Sequence, residues 1–431
     1  MPLGLNTGQQ HTFFGFRVTG LLLKSYDDEK RENVMTRYLP STVAIAALVA
    51  AMVVALPANA APMRAYIGTY TPDPPGAAPD NHGQGIYLVD VDAITGAPSH
   101  PRLVAKALSP TWMTISADRK FLYATNEIAT YGAAKSGSIS AYAVDGTTGA
   151  LKLLNVVDSG GAIPAFISIY PGGKFALGAN YIGASFAVIR IKPDGSLGEM
   201  TDVVKPQGPL NPATASDNPP GQFTGSDHQN TRGHMIAPDP SGQYVIGDDA
   251  GRDQILVWRL DTNSGKLIEV SVTKSLPGSA PRHFVFGTGS KHIYQLQEQD
   301  SRLAVYDFAN GKLTARGPTI SALPDGYEGS NTASELLIDK AGKHLYFANR
   351  TQDSIAVFAI SADGMVSKTA NVPTEADHPR SLTLDPSGRF LYSLNQHGDN
   401  VTTFRIGADG VPKFTGKYMA LASPAVMVFL P

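Results

Sequence analysis

The chain has 431 residues, 42% of them hydrophobic and 17% charged, which provides ample material for a large core and excludes a disordered composition. Lys+Arg 35 against Asp+Glu 37 gives a formal net charge of -2, so the broad basic field that nucleic acid or an anionic membrane surface attracts is absent. There is no cysteine, which excludes disulfides, thiolate metal sites and a Cys nucleophile; His, carboxylates, Arg, hydroxyls and amides must carry any chemistry.

In chain order, the first feature is a mixed-charge cluster, Asp27 to Glu32, that is foreign to the start of an export signal. Next come Met35 and Arg37, an uninterrupted apolar run from Val43 to Leu56, and Ala58-Asn59-Ala60, a small-x-small cleavage pattern. The run falls short of the roughly 18 apolar residues that a bilayer span needs. The expected organisation is therefore a non-native extension over 1–34 with translation starting at Met35, a signal peptide over 35–60, and one mature domain over 61–431 in the periplasm or secreted.

From Tyr66 onward one pattern recurs: a short apolar strand, a Gly turn, a second strand ending in Asn or an acidic pair, then a third strand and another Gly turn. Leu382–Asn395, Leu336–Asn349 and Met113–Asn126 are copies of equal length. Taking Tyr66, Tyr123, Leu177, Val245, Tyr294, Tyr346 and Tyr392 as second-strand markers, the steps are 57, 54, 68, 49, 52 and 46 residues. Alternating segments such as 354–360 and 254–260 are strands by their period of two, and Asp363-Gly364 and Ser264-Gly265 are turns. Repeats of this length built only from strands predict an all-β, seven-bladed β-propeller. Its first repeat, Arg64 to Tyr70, lacks an innermost strand, and Ala425 to Leu430 is a strand without a repeat. Pairing the two closes the ring and removes two open edges.

The residues resemble a known family, the seven-bladed propeller lactonases, which include bacterial 6-phosphogluconolactonases and fungal carboxymuconate cyclases. The resemblance spans Tyr66 to about Phe429. It rests on the run from Tyr66 to Thr71, Gly233-His234, Pro281-Arg282-His283, the run from Leu323 to Gly329 leading into Ser334-Glu335, Asn349-Arg350, and His378-Pro379-Arg380. Arg232 departs from it, standing where many members carry a second His.

The polar residues also fall into a pattern of their own. His234, His283 and Glu335 lie eleven residues before their markers, and Arg282 and Arg380 lie twelve before theirs. Equivalent positions in successive blades converge on one channel mouth. The earlier repeats carry Thr111-Trp112 and Ala165-Phe166 there, so the polar cluster belongs to blades four to seven. Glu335 or His234 is the expected general base. Arg282 and Arg380, with Arg350 and His283, are expected to hold a carboxylate or phosphate and stabilise an oxyanion. Strand alternation puts Arg282 and His283 on opposite faces, with Arg282 in the channel. The structural alternatives are a rim histidine at 234, a salt bridge from Glu335 to Arg282 or Arg380, and arginines that only brace blades. Asn126, Glu127, Asn180, Asp248, Asp249, Asn349 and Asn395 read as turn-formers. The loop from Asp217 to Asn230 is expected to cover the mouth.

No phosphate loop, zinc-protease or nucleophile-elbow motif is present. The expectation is a monomeric enzyme needing no cofactor or metal, acting on a small anionic lactone of the acidic-sugar or muconate type, by hydrolysis or reverse cyclisation. Neither nucleic acid nor, after signal cleavage, a membrane span enters this reading. The competing expectation is a non-catalytic propeller that binds a protein, glycan or envelope component.

Overall fold

A computed structural model describes residues 63–72 and 81–430. The expected extension and signal peptide lie outside the described residues. Those residues form seven antiparallel sheets of four strands each, one of which gains a short fifth strand. The inner strands are Pro424–Leu430 (blade 1), Met113–Ile115 (blade 2), Pro164–Ile169 (blade 3), Gly233–Pro238 (blade 4), Pro281–Phe286 (blade 5), Ala333–Ile338 (blade 6) and Pro379–Leu384 (blade 7). Each packs against its neighbour around a complete circuit. The fold is the expected all-β propeller, and its ring closes as anticipated: Pro424–Leu430 pairs with Met63–Thr69, Tyr66 opposite Val428 and Arg64 opposite Leu430.

The alternation of apolar residues has one destination. Seven buried clusters form, one at each seam between neighbouring blades. At the seam of blades 3 and 4, for example, Phe186 and Trp258 meet at 5.2 Å between ring centroids. The repeated Tyr of the second strand bolts these seams together. Tyr66, Tyr123, Tyr294, Tyr346 and Tyr392 each donate their hydroxyl to the carbonyl of a turn glycine in the next blade: Gly149, Gly195, Gly364, Gly410 and, across the closing seam, Gly96, at 2.8–3.0 Å. A buried phenol needs such a partner, which explains why the repeat keeps Tyr there.

A second repeated device shapes the channel. In blades 3 to 7 the inner strand slips register after its first residue, leaving Ala165, His234, Arg282, Ser334 and Arg380 as bulge residues. This pairing corrects one expectation. Gly233 faces Asp249 as Pro281 faces Gln297, so the blade-4 equivalent of Tyr294 is Ile246, not Val245. His234 therefore shares its register with Arg282 and Arg380, and the register of His283 and Glu335 holds Met235 in blade 4.

Candidate active site

The bulge accounts for the composition of the channel mouth. An extra residue in a strand re-aims its side chain and the next, so Arg282 and His283 both enter the same cluster instead of parting to opposite faces. The Arg282 Nη1 and the His283 Nε2 are 3.5 Å apart. His283 donates from Nδ1 to Glu335 Oε1 at 2.9 Å, because a carboxylate can only accept there, and Glu335 Oε1 also takes the Leu336 N–H at 3.0 Å. Glu335 thus pairs with a histidine, where an arginine had been the expected structural partner. The His234 ring lies 5.0 Å from that of His283, edge to face.

A second ring of residues sits just beyond the second strands. Tyr70, Glu127, Tyr181, Ala250, Glu298, Arg350 and Gln396 are equivalent, each donating its backbone N–H to the segment that precedes its own inner strand. Four of them complete the site. Glu298 accepts from Arg350 Nη2 at 2.5 Å and lies 3.4 Å from Arg282 Nε. Tyr70 hydroxyl accepts from Arg380 Nε at 2.9 Å, and Glu127 lies 3.9 Å from Arg380 while taking hydroxyl bonds from Tyr70 and Thr111. Of the six expected residues, His234, Arg282, His283 and Glu335 form one group, Arg350 joins it through Glu298, and Arg380, held by Tyr70 and Glu127, acts on His234 and Arg282 by its charge alone.

Burial sets the protonation states. Arg282 is fully buried, and desolvation with the nearby Arg380 brings it down to about 9. Burial lowers His283 to about 4, against the opposing pull of Glu335. His234 is held well below its ordinary range by burial first, then by Arg282, His283, Arg380 and Arg350. Burial would raise Glu298, but Arg350, Arg282 and Arg380 outweigh it and keep it below the usual carboxylate range. Both histidines are neutral at neutral pH. Trp112 and Phe166, stacked at 4.5 Å, close the other side, with His283 edge-on to them at 5.1 and 5.6 Å.

Within the cluster, His234 Nδ1 and Arg282 Nη2 are buried without a hydrogen-bond partner, and Arg282 Nε has only its 3.4 Å ion contact with Glu298. Orphans of this kind are costly in a native fold unless water or a ligand completes them. Sequence reasoning missed Glu298 and took Glu127 for a turn-former. The signal was present, since both directly follow the last residue of a second strand. The Asn residues are not turn-formers either: Asn126, Asn180, Asn349 and Asn395 are buried, each bonding a hydroxyl or side chain of the third strand. The long loop is pinned to blades 4, 5 and 6 at this same end, by His228 to Asp253, Ser226 to Gln299 and Thr224 to Ser330. Arg232 ties that loop to the rim through Asp227 at 2.7 Å, and its guanidinium lies over Tyr181. The second histidine of the site is His283.

A family model described as "Lactonase, 7-bladed beta-propeller" matches residues 64–429. The chain belongs to this lactonase family. The lactonase chain is 28% identical over 317 residues to a 6-phosphogluconolactonase of Bacillus subtilis, covering 73% of this chain and 83% of the relative. It is 29% identical over 332 residues to a 6-phosphogluconolactonase of Formosa agariphila, covering 73% and 84%. Among solved structures it resembles the periplasmic gluconolactonase of Pseudomonas aeruginosa, with a TM-score of 0.75, 24% identity, and 86% and 99% of the two chains covered; at that identity the likeness speaks for the fold.

Proposed function

We propose that this lactonase-family chain hydrolyses a sugar-acid lactone bearing a carboxylate or phosphate, with His283 as general base. The observation that carries the reading is the pair of unpartnered buried groups, His234 Nδ1 and Arg282 Nη2, beside a histidine whose Nδ1–H is committed to Glu335. That commitment leaves the lone pair on Nε2, which meets Arg282 Nη1 only in a long 3.5 Å contact that the reacting water displaces. In the first step a water oxygen bonds to the lactone carbonyl carbon while its proton passes to His283 Nε2, and the carbonyl π electrons become the oxyanion. Arg282 lies where it can stabilise that charge in a desolvated setting. In the second step the carbonyl re-forms, the ring C–O bond breaks, and the proton on Nε2 goes to the departing ring oxygen, leaving a hydroxy acid. Glu335 is a positioning residue here, holding the tautomer and orientation of His283, and His234 offers its free Nδ1 to a substrate oxygen.

Arg282, Arg350 and Arg380 supply the anion specificity in this reading. A lactone carboxylate or phosphate takes the unpartnered Nη2 of Arg282 in a charge-assisted bond, within the field of Arg350 and Arg380. The test is hydrolysis across a panel of aldonolactones, their phosphorylated forms and muconolactones, with Arg282→Lys beside the wild type. The variant is expected to lose about 1.5–3 kcal/mol of kcat/KM on anionic lactones and far less on neutral ones. A wild type that opens no lactone hands the channel to the ligand-binding reading, and one that cyclises a muconate reverses the reaction. Export to the periplasm or medium is part of the same proposal, supported by the run from Val43 to Leu56 and the small residues after it; sequencing of the mature N-terminus checks it.

A further inference from the structure

Blade 7 carries three potential ligands that the proposed reaction leaves unused. Asp377 and His378 directly precede its inner strand, and His397 lies in the turn after its second strand, Phe390–Asn395. One donor atom from each lies within 4.8 Å of the other two. The imidazoles stack, with ring centroids 3.8 Å apart and planes 22° from parallel. The backbone sets up this meeting. Gln396 N–H donates to the His378 carbonyl at 2.9 Å and Gly398 N–H to the Asp377 carbonyl at 3.1 Å, so His397 is held between two bonds directly opposite the pair. A side chain at 398 would put a Cβ 3.1 Å from the Asp377 nitrogen, so the close approach favours glycine. Asp353 Oδ1 fixes the third corner by accepting the His378 N–H at 2.8 Å.

We propose that Asp377, His378 and His397 form a binding site for one divalent transition-metal ion of the zinc type. Two imidazole nitrogens and one carboxylate oxygen are a donor set for zinc and its neighbours; calcium and magnesium ask for oxygen cages. Three protein ligands leave at least one position for water. A tetrahedral ion wants its donors about 3.3 Å apart, a closure that side-chain rotation supplies because Asp377 and His397 are exposed. Arg350 and Arg380 act on His378 by their charge. Those arginines are themselves accompanied by Glu298 and Glu127, which limits the repulsion an incoming cation meets. The sequence suggested no such site, since residues 378 and 397 are nineteen positions apart in no recognised motif.

The test does not depend on lactone turnover. Protein stripped with a chelator is titrated with zinc by calorimetry and with cobalt by visible absorption. One ion per chain is expected, with a cobalt spectrum of nitrogen and oxygen ligation and a higher Tm in the presence of zinc. His397→Ala and Asp377→Asn, both at exposed positions, are each expected to weaken binding by about tenfold or more, on the scale seen for disturbed metal shells, while the metal-free Tm stays unchanged. Failure of the wild type to bind zinc or cobalt at 100-fold excess, binding of calcium in their place, or variants that bind as the wild type does overturns the proposal.

Discussion

His283 is defined by what its neighbours remove from it. Burial strips its hydration and lowers it to about 4; Glu335 takes its Nδ1–H and pulls the other way. Because its ordinary value is 6.5, protonation in the unfolded chain begins near neutrality, whereas the folded chain stays neutral down to about 4. The group's contribution to stability is thus present above 6.5 and is lost as the pH falls through that window. The catalytic consequence has the same sign. Wild-type kcat/KM is expected to stay level through neutrality and to fall only as the pH drops through about 4. Glu335→Gln removes the carboxylate that raises His283, so the acid limb should move to still lower pH, with kcat reduced by about 10²–10⁴. An acid limb at 6.5 in the wild type, or an unshifted limb in the variant, would exclude His283 as the base.

At the scale of elements, the turns and bulges matter more than the strands. Tyr392 crosses from blade 7 to donate to Gly96 of blade 1 at 2.9 Å, and Gly96 sits at φ 72 with its missing Cβ 2.4 Å from the Phe390 ring. Tyr392→Phe leaves a buried carbonyl without its donor and should cost about 1–3 kcal/mol, read by urea unfolding; an unchanged midpoint would mean the carbonyl is satisfied otherwise. That Tyr was also the clearest repeat marker in the sequence, so the five second strands that carry it were legible, and blade 3, with Leu177 there, followed from the spacing. Blade 4 lacks it, carrying Ile246 at that place, and there the register slipped by one and misaligned His234. The bulges left no trace in the sequence, because each follows the first residue of its strand, ahead of the apolar run by which the strand is recognised. Glu298 and Glu127 were obscured for a related reason: an acidic residue after a strand has the chemistry of a turn, and only the blade geometry turns it toward an arginine.

The whole molecule depends on one pairing between distant parts of the chain. Val426 and Met427 are buried, and each such side chain is worth about 1.5–3 kcal/mol when removed from water. Deleting Ala425 to Pro431 also unpairs Met63–Thr69, so Tm is expected to fall by roughly 10 °C or more, while a deletion variant that melts like the wild type would mean that other seams hold the ring. Closure has a further consequence in time. The partners Arg64 and Leu430 are 366 positions apart, so blade 1 waits, with its inner edge open, until Pro424–Leu430 is synthesised. Six blades can assemble behind it, but none of them can satisfy that edge. A chain without Pro424–Leu430 leaves the amides and carbonyls on that side of Met63–Thr69 unpaired, an exposed strand edge of the kind that templates association with other chains.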